Sequence, residues 1–292
     1  MIELFLGLSL AFIMFSLGLS LEPRDFAVAL RQPKALLAGL LCQVIGLPVI
    51  AFLLIRLLQL QDDLAFGVMI LSCCPGGITT NVMSRWARGD VALSISYTAI
   101  VSLLTAIPLP LILGASAGQF LETADVQFAV APLSLKAFAI ATLPVLIGVV
   151  IKQLRSSAAS RLEQSCSRLA NLLFALILLA TLISQWDVFT AQLELLGPIL
   201  ISLNVLMLLL GCTLGPLLAL PRSQVTTLAI ESGFQSGTVG IVVGAMLSQP
   251  GSDALLTGMS LPSTVYGVLM LITVAPFVMW RRCLGGRSAA LM

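Results

Sequence analysis

Between Ala65 and Met83 the chain reads AFGVMILSCCPGGITTNVM, an apolar run that is interrupted by a Pro-Gly-Gly sequence at 75–77. A proline inside a helix removes a backbone hydrogen bond and clashes with the preceding turn, which costs about 3 kcal/mol. Each glycine costs about 1 kcal/mol relative to alanine. A continuous helix across 73–78 is therefore unfavourable, and we predict a broken helix here.

The rest of the chain has the composition of a membrane protein. Of its 292 residues, 59% are hydrophobic and only 10% are charged, whereas about a quarter of the residues of a soluble domain are charged. Runs of roughly 20 apolar residues span a bilayer, and they do so as helices because hydrocarbon offers no hydrogen-bond partner to loose backbone groups. We expect an all-α polytopic membrane protein with about nine transmembrane helices, at about 4–21, 35–55, 64–84, 91–113, 133–151, 169–185, 195–219, 223–248 and 254–280.

The basic residues give an independent test of this span count. If the N-terminus is outside and the spans alternate, all but two of the 15 Lys and Arg residues fall on the inner side. The exceptions, Arg56 and Lys136, lie at span ends, where long side chains can extend to the membrane surface. Because basic residues in short loops set orientation, we expect the N-terminus outside and the C-terminus in the cytoplasm.

A second interrupted run, TTLAIESGFQSGTVG, lies between Thr226 and Gly240 and places Glu231 and Gln235 near mid-span. A carboxylate at the bilayer centre costs at least roughly 2.5–3.5 kcal/mol, so it is seldom there without a partner. Broken helices at corresponding positions of two halves indicate the central site of a transporter. Helix N-termini beside such breaks attract anions, and freed carbonyls attract cations.

The positions of the two breaks predict an internal repeat. One further span follows each broken span, which suits two five-helix units of which the first lacks its opening helix. We expect a first repeat of four helices at 1–130 and a second repeat of five helices at 131–292. Units with an odd number of crossings insert in opposite directions, so the repeats would be inverted. The longest polar stretch, 155–168, is predicted to be an inner linker that is partly helical.

Several classes of protein are disfavoured by composition. The chain has no histidine, the commonest transition-metal ligand, and its six cysteines fit neither a disulfide framework nor a zinc site. No block of basic residues points to a nucleic acid. An intramembrane enzyme using Cys74 or Glu231 would lack an evident base or nucleophile partner. We therefore expect neither an enzyme nor a cofactor.

The interrupted runs resemble those of the bile acid:sodium symporter family. The strongest similarity is Cys73-Cys-Pro-Gly-Gly-Ile-Thr-Thr-Asn81, continued by Ala87-Arg-Gly-Asp-Val-Ala-Leu-Ser94 and Thr98. Glu231-Ser-Gly-Phe-Gln235 is the second, and Gln43 with Pro48 is the third. The resemblance implies a core domain with crossed discontinuous helices packed on a panel domain, in a bacterial inner membrane. It also implies sodium-coupled symport of a small organic anion by alternating access.

The resemblance assigns two neighbouring sodium sites. The first would use side chains of Thr80, Asn81, Ser94, Thr98 and Glu231. The second would use Gln43, Glu231 and Gln235, with backbone carbonyls near Ser232 and Phe234. Every one of these groups offers oxygen, which hard cations prefer, and Ser94 and Thr98 share one helix face.

The organic anion is expected beside these ions. Candidate substrate-binding residues are Ile78, Thr79, Ser236, Gly237 and Tyr266. Ser236 replaces an asparagine that is common in the family, Ile78 replaces a frequent hydroxyl, and Val265-Tyr266 occupies the region of a His-Asn pair in some bile-acid carriers. These departures argue against a bile acid as the substrate and leave the identity of the anion and the oligomeric state open.

Other interpretations of the same residues remain open. Glu231 could be a structural carboxylate bonded to helix hydroxyls, and Gln43 could join helices without binding an ion. Ser94 and Thr98 could bond to carbonyls of their own helix. The alternative function is a proton-coupled organic anion transporter in which Glu231 is the titrating group; a channel is a further possibility.

Overall fold

The protein is all-helical in the part of the chain that the computed structural model describes. That part comprises residues 2–21, 27–28, 30–104, 108–121, 139–140, 142–154, 156–184, 186–248 and 257–289, and it contains no strand. We number the helices in chain order. They are α1 (Ile2–Ser20), α2 (Pro33–Leu57), α3 (Asp62–Ser72), α4 (Ile78–Trp86), α5 (Val91–Leu104), α6 (Pro108–Phe120), α7 (Thr142–Leu154), α8 (Ser156–Ser184), α9 (Trp186–Leu217), α10 (Arg222–Gly233), α11 (Gly237–Leu247) and α12 (Leu261–Ala289).

Several of these helices have the length and composition of membrane spans. Four described segments are long and apolar enough to cross a bilayer: Pro33–Leu57, Leu162–Ala180, Trp186–Leu217 and Leu261–Cys283. Shorter apolar segments lie in α1, α5 and α7. Together with the composition of the chain, these helices identify an integral membrane protein. The prediction of an all-α membrane protein is confirmed, whereas the count of nine spans stays a prediction.

The two interrupted runs form pairs of half-helices. The first run breaks between Ser72 and Ile78, separating α3 from α4, and the second breaks between Gly233 and Gly237, separating α10 from α11. The breaks meet inside the protein, where the backbone N–H of Ser236 donates a hydrogen bond to the carbonyl of Pro75 at 2.8 Å. Each break therefore supplies a partner for a backbone group that the other leaves free.

Helix α2 contains a π-helical turn that the sequence analysis did not predict. Residues Leu41–Gly46 form it, and the N–H of Leu47 donates to the carbonyl of Cys42, five residues earlier. Pro48 follows directly and has no N–H to donate. The π turn therefore lies where the regular series of backbone hydrogen bonds of α2 is already interrupted by the proline. Single π turns of this kind often occur at functional sites, and this one contains Gln43.

Two helix starts differ from the predicted spans. Helix α8 begins at Ser156, within the predicted 155–168 linker, and α9 begins at Trp186 rather than near 195. Both added stretches lack proline and glycine and contain good helix formers, so the helices continue beyond their apolar segments. The opening of the predicted 133–151 span, up to 138, lies outside the described residues, as does the stretch 254–256 of the last span.

The helices pack in two groups. Helices α1, α7 and α8 lie together, with a close approach of α1 to α7 at Gly18 and Gly148. The second group is built around α9, which packs along α10 and α12, and it includes both pairs of half-helices. The first group reaches the second mainly where α1 lies against α11 and α8 lies against α12. The breaks therefore lie within one group and face the other.

Candidate functional site

Glu231 is the centre of a buried cluster of oxygen-bearing side chains. It lies near the end of α10, just before the break, and only 1% of its surface is exposed. Its Oε1 accepts a hydrogen bond from the Ser94 hydroxyl, and its Oε2 accepts one from the Thr98 hydroxyl at 3.1 Å. Ser94 and Thr98 lie one turn apart on α5, as their spacing predicted. Two helices that lie more than 130 positions apart in sequence therefore meet at one carboxylate.

The first residues of α4 complete this cluster. The Oδ1 of Asn81 lies 2.8 Å from the Ser94 hydroxyl, and the hydroxyls of Thr80 and Thr98 are 3.3 Å apart. The Thr80 hydroxyl also donates to the carbonyl of Gly77 at 2.8 Å, across the first turn of α4. All five side chains predicted for the first ion site thus lie in contact. Alternative back-bonding of Ser94 to its own helix is not seen, since its hydroxyl contacts Asn81 and Glu231.

The electrostatic balance of this cluster is unusual. Within the described part of the chain, no Lys or Arg forms an ion pair with Glu231, and its hydrogen-bond donors are neutral hydroxyls. The Ser94 hydroxyl has one proton for two acceptor oxygens, on Asn81 and on Glu231. Burying a charge is costly unless it is paired. The cluster therefore has more acceptor oxygens than hydroxyl protons to share among them. A bound cation would satisfy these oxygens and neutralise the carboxylate.

The residues predicted for the second ion site form an adjacent amide cluster. The Nε2 of Gln43, on the π turn of α2, donates to the Oε1 of Gln235 at 2.7 Å and to the carbonyl of Cys74 at 2.8 Å. The Nε2 of Gln235 donates to the carbonyl of Ser232 at 2.9 Å. Phe234 is buried in the break itself. Both glutamines are almost fully buried, and they connect α2 to both breaks.

A cavity lies on the other side of the breaks, between the two groups of helices. One wall is polar backbone and small side chains, formed by Gly76, Gly77 and Thr79 of the first break and by 234–238 of the second. The opposite wall is mostly apolar and includes Met14 on α1 and Phe174 on α8. Three of the predicted substrate-binding residues, Thr79, Ser236 and Gly237, therefore line one cavity.

The N-termini of two half-helices open onto this cavity. Gly77 is the N-cap residue of α4 and Ser236 is that of α11, and neither helix start receives a side-chain cap. Both residues line the cavity. Uncapped N–H groups at the positive end of a helix attract anions. The cavity wall thus offers an anion favourable interactions, although none of the described residues that line it is charged.

Tyr266 lies apart from the cavity wall. It is fully buried on α12, and its hydroxyl donates to the carbonyl of Gly233 at 2.6 Å. In this conformation it contacts the end of α10 and is not among the residues that line the cavity. Ile78 is the first residue of α4, and its side chain lies outside the described part of the structure.

Two residues that the sequence analysis did not single out support the second break. Asn204 on α9 donates from Nδ2 to the carbonyl of Gly233 at 2.5 Å and to the hydroxyl of Tyr266 at 3.0 Å. The hydroxyl of Thr273 on α12 donates to the Oδ1 of Asn204 at 2.7 Å. The sequence does mark Asn204 as a residue of interest, because it lies inside the apolar run of α9 and an amide in a membrane span needs a partner. Its partner was not evident from the sequence.

The chemistry of the cluster favours a monovalent cation. Among the described residues, no group of three or more His, Cys, Asp or Glu side chains could hold a metal ion. The cluster offers one carboxylate together with neutral hydroxyl and amide oxygens, a set that suits a hard cation. One negative charge is neutralised by one charge of the opposite sign, so the donor set matches a monovalent ion better than a divalent one.

Comparison with known proteins agrees with this chemistry. The uncharacterized sodium-dependent transporter YocS of Bacillus subtilis is 27% identical over 267 residues, which cover 91% of this chain and 78% of that protein. A probable chloroplastic sodium/metabolite cotransporter of Oryza sativa is 31% identical, over 80% of this chain and 55% of its own length. Sodium/bile acid cotransporter 4 of Rattus norvegicus is 29% identical, over 80% of this chain and 54% of its own length. The chain thus spans just over half of the length of the rice and rat relatives.

The sequence model of the Sodium Bile acid symporter family matches residues 7–192 of this chain, which is nearly two thirds of its length. The matched region includes the first break and Gln43. The family and these relatives are membrane transporters rather than enzymes, which confirms the resemblance inferred from the sequence motifs and the expectation of a transporter. The chain belongs to the sodium bile acid symporter family.

Proposed function

We propose that this protein is a sodium-coupled secondary active symporter that takes up a small organic anion by alternating access. The observation that carries the proposal is Glu231, a buried carboxylate with no basic partner among the described residues, surrounded by oxygen-bearing side chains at the meeting point of two helix breaks. The names of the relatives, which refer to sodium-dependent transport, support sodium as the cation.

The first sodium ion would lie among Thr80, Asn81, Ser94, Thr98 and Glu231. Their hydroxyl protons can rotate away from a cation, so that each oxygen directs a lone pair toward it. The ion would then replace hydrogen bonds that now hold α4, α5 and α10 together. Binding would order these three helices around the carboxylate.

The second sodium ion would use the amide cluster. An amide carries one oxygen and one NH2 group, and the NH2 group of Gln43 now faces two acceptor oxygens, on Cys74 and Gln235. If the Gln43 amide turned over, its Oε1 would join the Gln235 oxygen and the carbonyls of Ser232 and Phe234 around a cation. Glu231 would complete both sites, because it lies only four residues before Gln235 on the chain.

The organic anion would bind in the cavity beside these ions. Thr79, Ser236 and Gly237 line that cavity, and Ile78 is next to Thr79 on the chain. Tyr266, which was also predicted to bind the anion, would reach it only if its hydrogen bond to Gly233 broke. Two sodium ions and one carboxylate leave one net positive charge, which a monovalent anion would neutralise. The uncapped N-termini of α4 and α11 would add to the attraction.

The ion gradient supplies enough free energy for accumulation. A tenfold sodium gradient is worth about 1.4 kcal/mol per ion, and about 100 mV adds roughly 2.3 kcal/mol per charge. Two sodium ions carrying one monovalent anion would leave about 5 kcal/mol, enough for a gradient of roughly several thousandfold. The stoichiometry of two ions is part of the proposal.

The membrane topology belongs to the same proposal. We place the N-terminus outside and the C-terminus in the cytoplasm of a bacterial inner membrane, on the asymmetry of the basic residues. Residues 1–130 and 131–292 would be inverted repeats, and the group formed by α1, α7 and α8 would be the panel. The group that carries the breaks would move against it.

Sodium binding to the purified protein tests the function directly. Radioactive sodium binding would be measured at fixed pH for the unmodified protein and for Glu231→Gln, which keeps the size of the side chain and removes its charge. We expect saturable binding that excess sodium displaces and excess potassium does not, and its loss in the variant. Equal binding by both proteins would refute the role of Glu231.

Uptake into proteoliposomes distinguishes the coupling ion. We expect an inward sodium gradient at equal pH to drive accumulation of organic acids, chosen by screening for sodium-dependent thermal stabilisation. Accumulation driven by a pH gradient without sodium would instead establish proton coupling through Glu231. If the organic acid entered only until its concentrations inside and outside were equal, the protein would be a channel.

A further inference from the structure

A second charged feature lies at the surface of the protein, away from the ion cluster. It is a groove at the end of α9 and the start of α10, closed on one side by α12. Pro216 and Leu220, Arg222 and Val225, and Trp280 and Arg281 line it. We call it the arginine groove. Neither of its arginines takes part in the proposed transport site.

Arg281 is the unusual member of the groove. Only 9% of its surface is exposed, and its hydrogen bonds go to neutral oxygens: Nε donates to the hydroxyl of Thr226 at 2.8 Å, and Nη2 donates to the carbonyl of Arg222 at 3.0 Å. Among the described residues, no carboxylate pairs with it. A guanidinium has five N–H donors, and these two bonds leave the positive charge of Arg281 without a counter-ion among the described residues.

Two further features make the groove more positive. Arg222, whose carbonyl Arg281 binds, lines the same groove and is solvent-exposed. It is also the first residue of α10, a helix of 12 residues whose N-cap residue, Pro221, provides no side-chain cap. The positive end of the α10 dipole and two guanidinium groups therefore meet in one place, an arrangement that favours an anion with several acceptor oxygens.

The surroundings of the groove place it at a membrane surface. It lies at an end of the helix bundle, where α9 ends and α10 begins. Trp280 on its rim is 53% exposed, and the centre of its ring lies 5.5 Å from the guanidinium carbon of Arg281. Tryptophans concentrate at the level of lipid headgroups. Leu217 and Leu218, which precede the groove, are exposed apolar residues that suit contact with lipid. An anion bound here would thus lie beside acyl chains.

We propose that the arginine groove binds the phosphate of an anionic phospholipid. Arg222 and Arg281 would bind the phosphate oxygens, as basic pockets between transmembrane helices do for acidic headgroups, and the exposed apolar rim would contact the glycerol and acyl chains. Because the groove joins α9, α10 and α12, a bound lipid would brace the helices that carry Glu231 and Asn204. A free phosphate ion shares the headgroup chemistry but would make no use of the apolar rim.

Native mass spectrometry of the delipidated protein tests this proposal. Phosphatidylglycerol and phosphatidylethanolamine would be titrated separately, and the adducts would be counted. We expect phosphatidylglycerol to bind more tightly, and Arg222→Gln to weaken its binding about fivefold, the usual contribution of one basic residue at a membrane surface. Arg281→Gln should weaken binding at least as much, since its side chain lies deeper in the groove.

Arg282→Gln is the matched control, because it removes the same charge from the next residue on α12, which is exposed and does not line the groove. We expect it to bind phosphatidylglycerol like the unmodified protein. An equal loss in this control, or no preference for phosphatidylglycerol, would overturn the proposal. If Arg281→Gln does not fold, Arg222→Gln decides, because its side chain is exposed.

A parallel titration with inorganic phosphate separates the two sources of the anion. We expect inorganic phosphate to neither stabilise the protein nor displace phosphatidylglycerol at matched concentration. Full displacement, together with equal thermal stabilisation, would show a site for free phosphate and refute the lipid assignment. Neither result depends on sodium binding, so the outcome is independent of the proposed transport function.

Discussion

The Nε2 of Gln43 and the Oε1 of Gln235 lie 2.7 Å apart, although 192 positions separate the two residues in the chain. This contact joins the π turn of α2 to the second helix break, and the same Gln43 nitrogen also contacts the carbonyl of Cys74 at the first break. One side chain therefore connects three elements. Any movement of one break relative to the other must rearrange this amide.

Replacing Gln43 by leucine should separate the two proposed sodium sites. The variant replaces the amide by an apolar side chain of similar size and leaves the side chains of the first cluster, around Ser94 and Glu231, unchanged. We expect the sodium dependence of uptake to lose its cooperativity, with a Hill coefficient that falls from near two toward one. Sodium titration of uptake measures it. An unchanged Hill coefficient in a well-folded variant would contradict the assignment of Gln43 to an ion site.

Removing the Ser94 hydroxyl should weaken sodium binding. Ser94→Ala deletes a group that contacts both Glu231 and Asn81, and hydrogen bonds to charged groups are worth about 1.5–3 kcal/mol. We expect sodium affinity to fall by about tenfold or more, as measured by radioactive sodium binding. Ser96→Ala is the control, since Ser96 is buried on the same helix but donates only to the carbonyl of Ala92. A similar loss in both variants would indicate a general effect on the helix.

The adjacent glycines of the first break should respond differently to alanine. A Cβ atom at Gly76 would lie 3.1 Å from the Oε2 of Glu231, whereas a Cβ atom at Gly77 would meet nothing within 4 Å. Since overpacking typically costs about 1–3 kcal/mol, we expect Gly76→Ala to weaken sodium binding at least about fivefold by displacing the carboxylate. Gly77→Ala should bind sodium normally. If the two variants bound sodium equally well, the carboxylate would not depend on this close approach.

Asn204→Ala should both destabilise the protein and weaken sodium binding. The substitution leaves the hydroxyl of Thr273 without its acceptor on Asn204 and removes one donor to the carbonyl of Gly233. Losing such buried hydrogen bonds costs about 1–3 kcal/mol, which thermal unfolding would register as a lower Tm. Because Gly233 lies between Ser232 and Phe234, whose carbonyls we assign to the second ion, sodium should also restore less stability than in the unmodified protein.

Thr213→Val is the control for that experiment, because Thr213 also lies on α9 but is not buried and bonds only to the carbonyl of Leu210. It should leave both Tm and the stabilisation by sodium unchanged. Tyr266→Phe removes the other donor to Gly233 and should act in the same direction as Asn204→Ala. A variant of Asn204 that lost stability but gained the normal increase in Tm from sodium would show that its role is structural only.

Much of the candidate site was predictable because its signals are local. Pro75 followed by two glycines is unfavourable in any helix. Glu231 lies in an apolar run and needs a partner whatever the tertiary structure around it. The resemblance to one family then grouped Thr80, Asn81 and Ser94 with Glu231, and the structure brings these side chains into contact. What escaped prediction depends on distant partners: the π turn at Gln43, and Asn204 with its contact to Gly233.

The sequence by itself determined that this protein folds in a lipid bilayer and where its helices break. It also determined which oxygen-bearing side chains lie near those breaks. These properties follow from composition and from backbone chemistry within a few residues. Only the tertiary structure decided that Ser236 bonds to Pro75 and that Ser94 reaches Glu231, 137 positions away. Such contacts form because buried polar groups must find partners, and packing of distant helices determines which partners lie within reach.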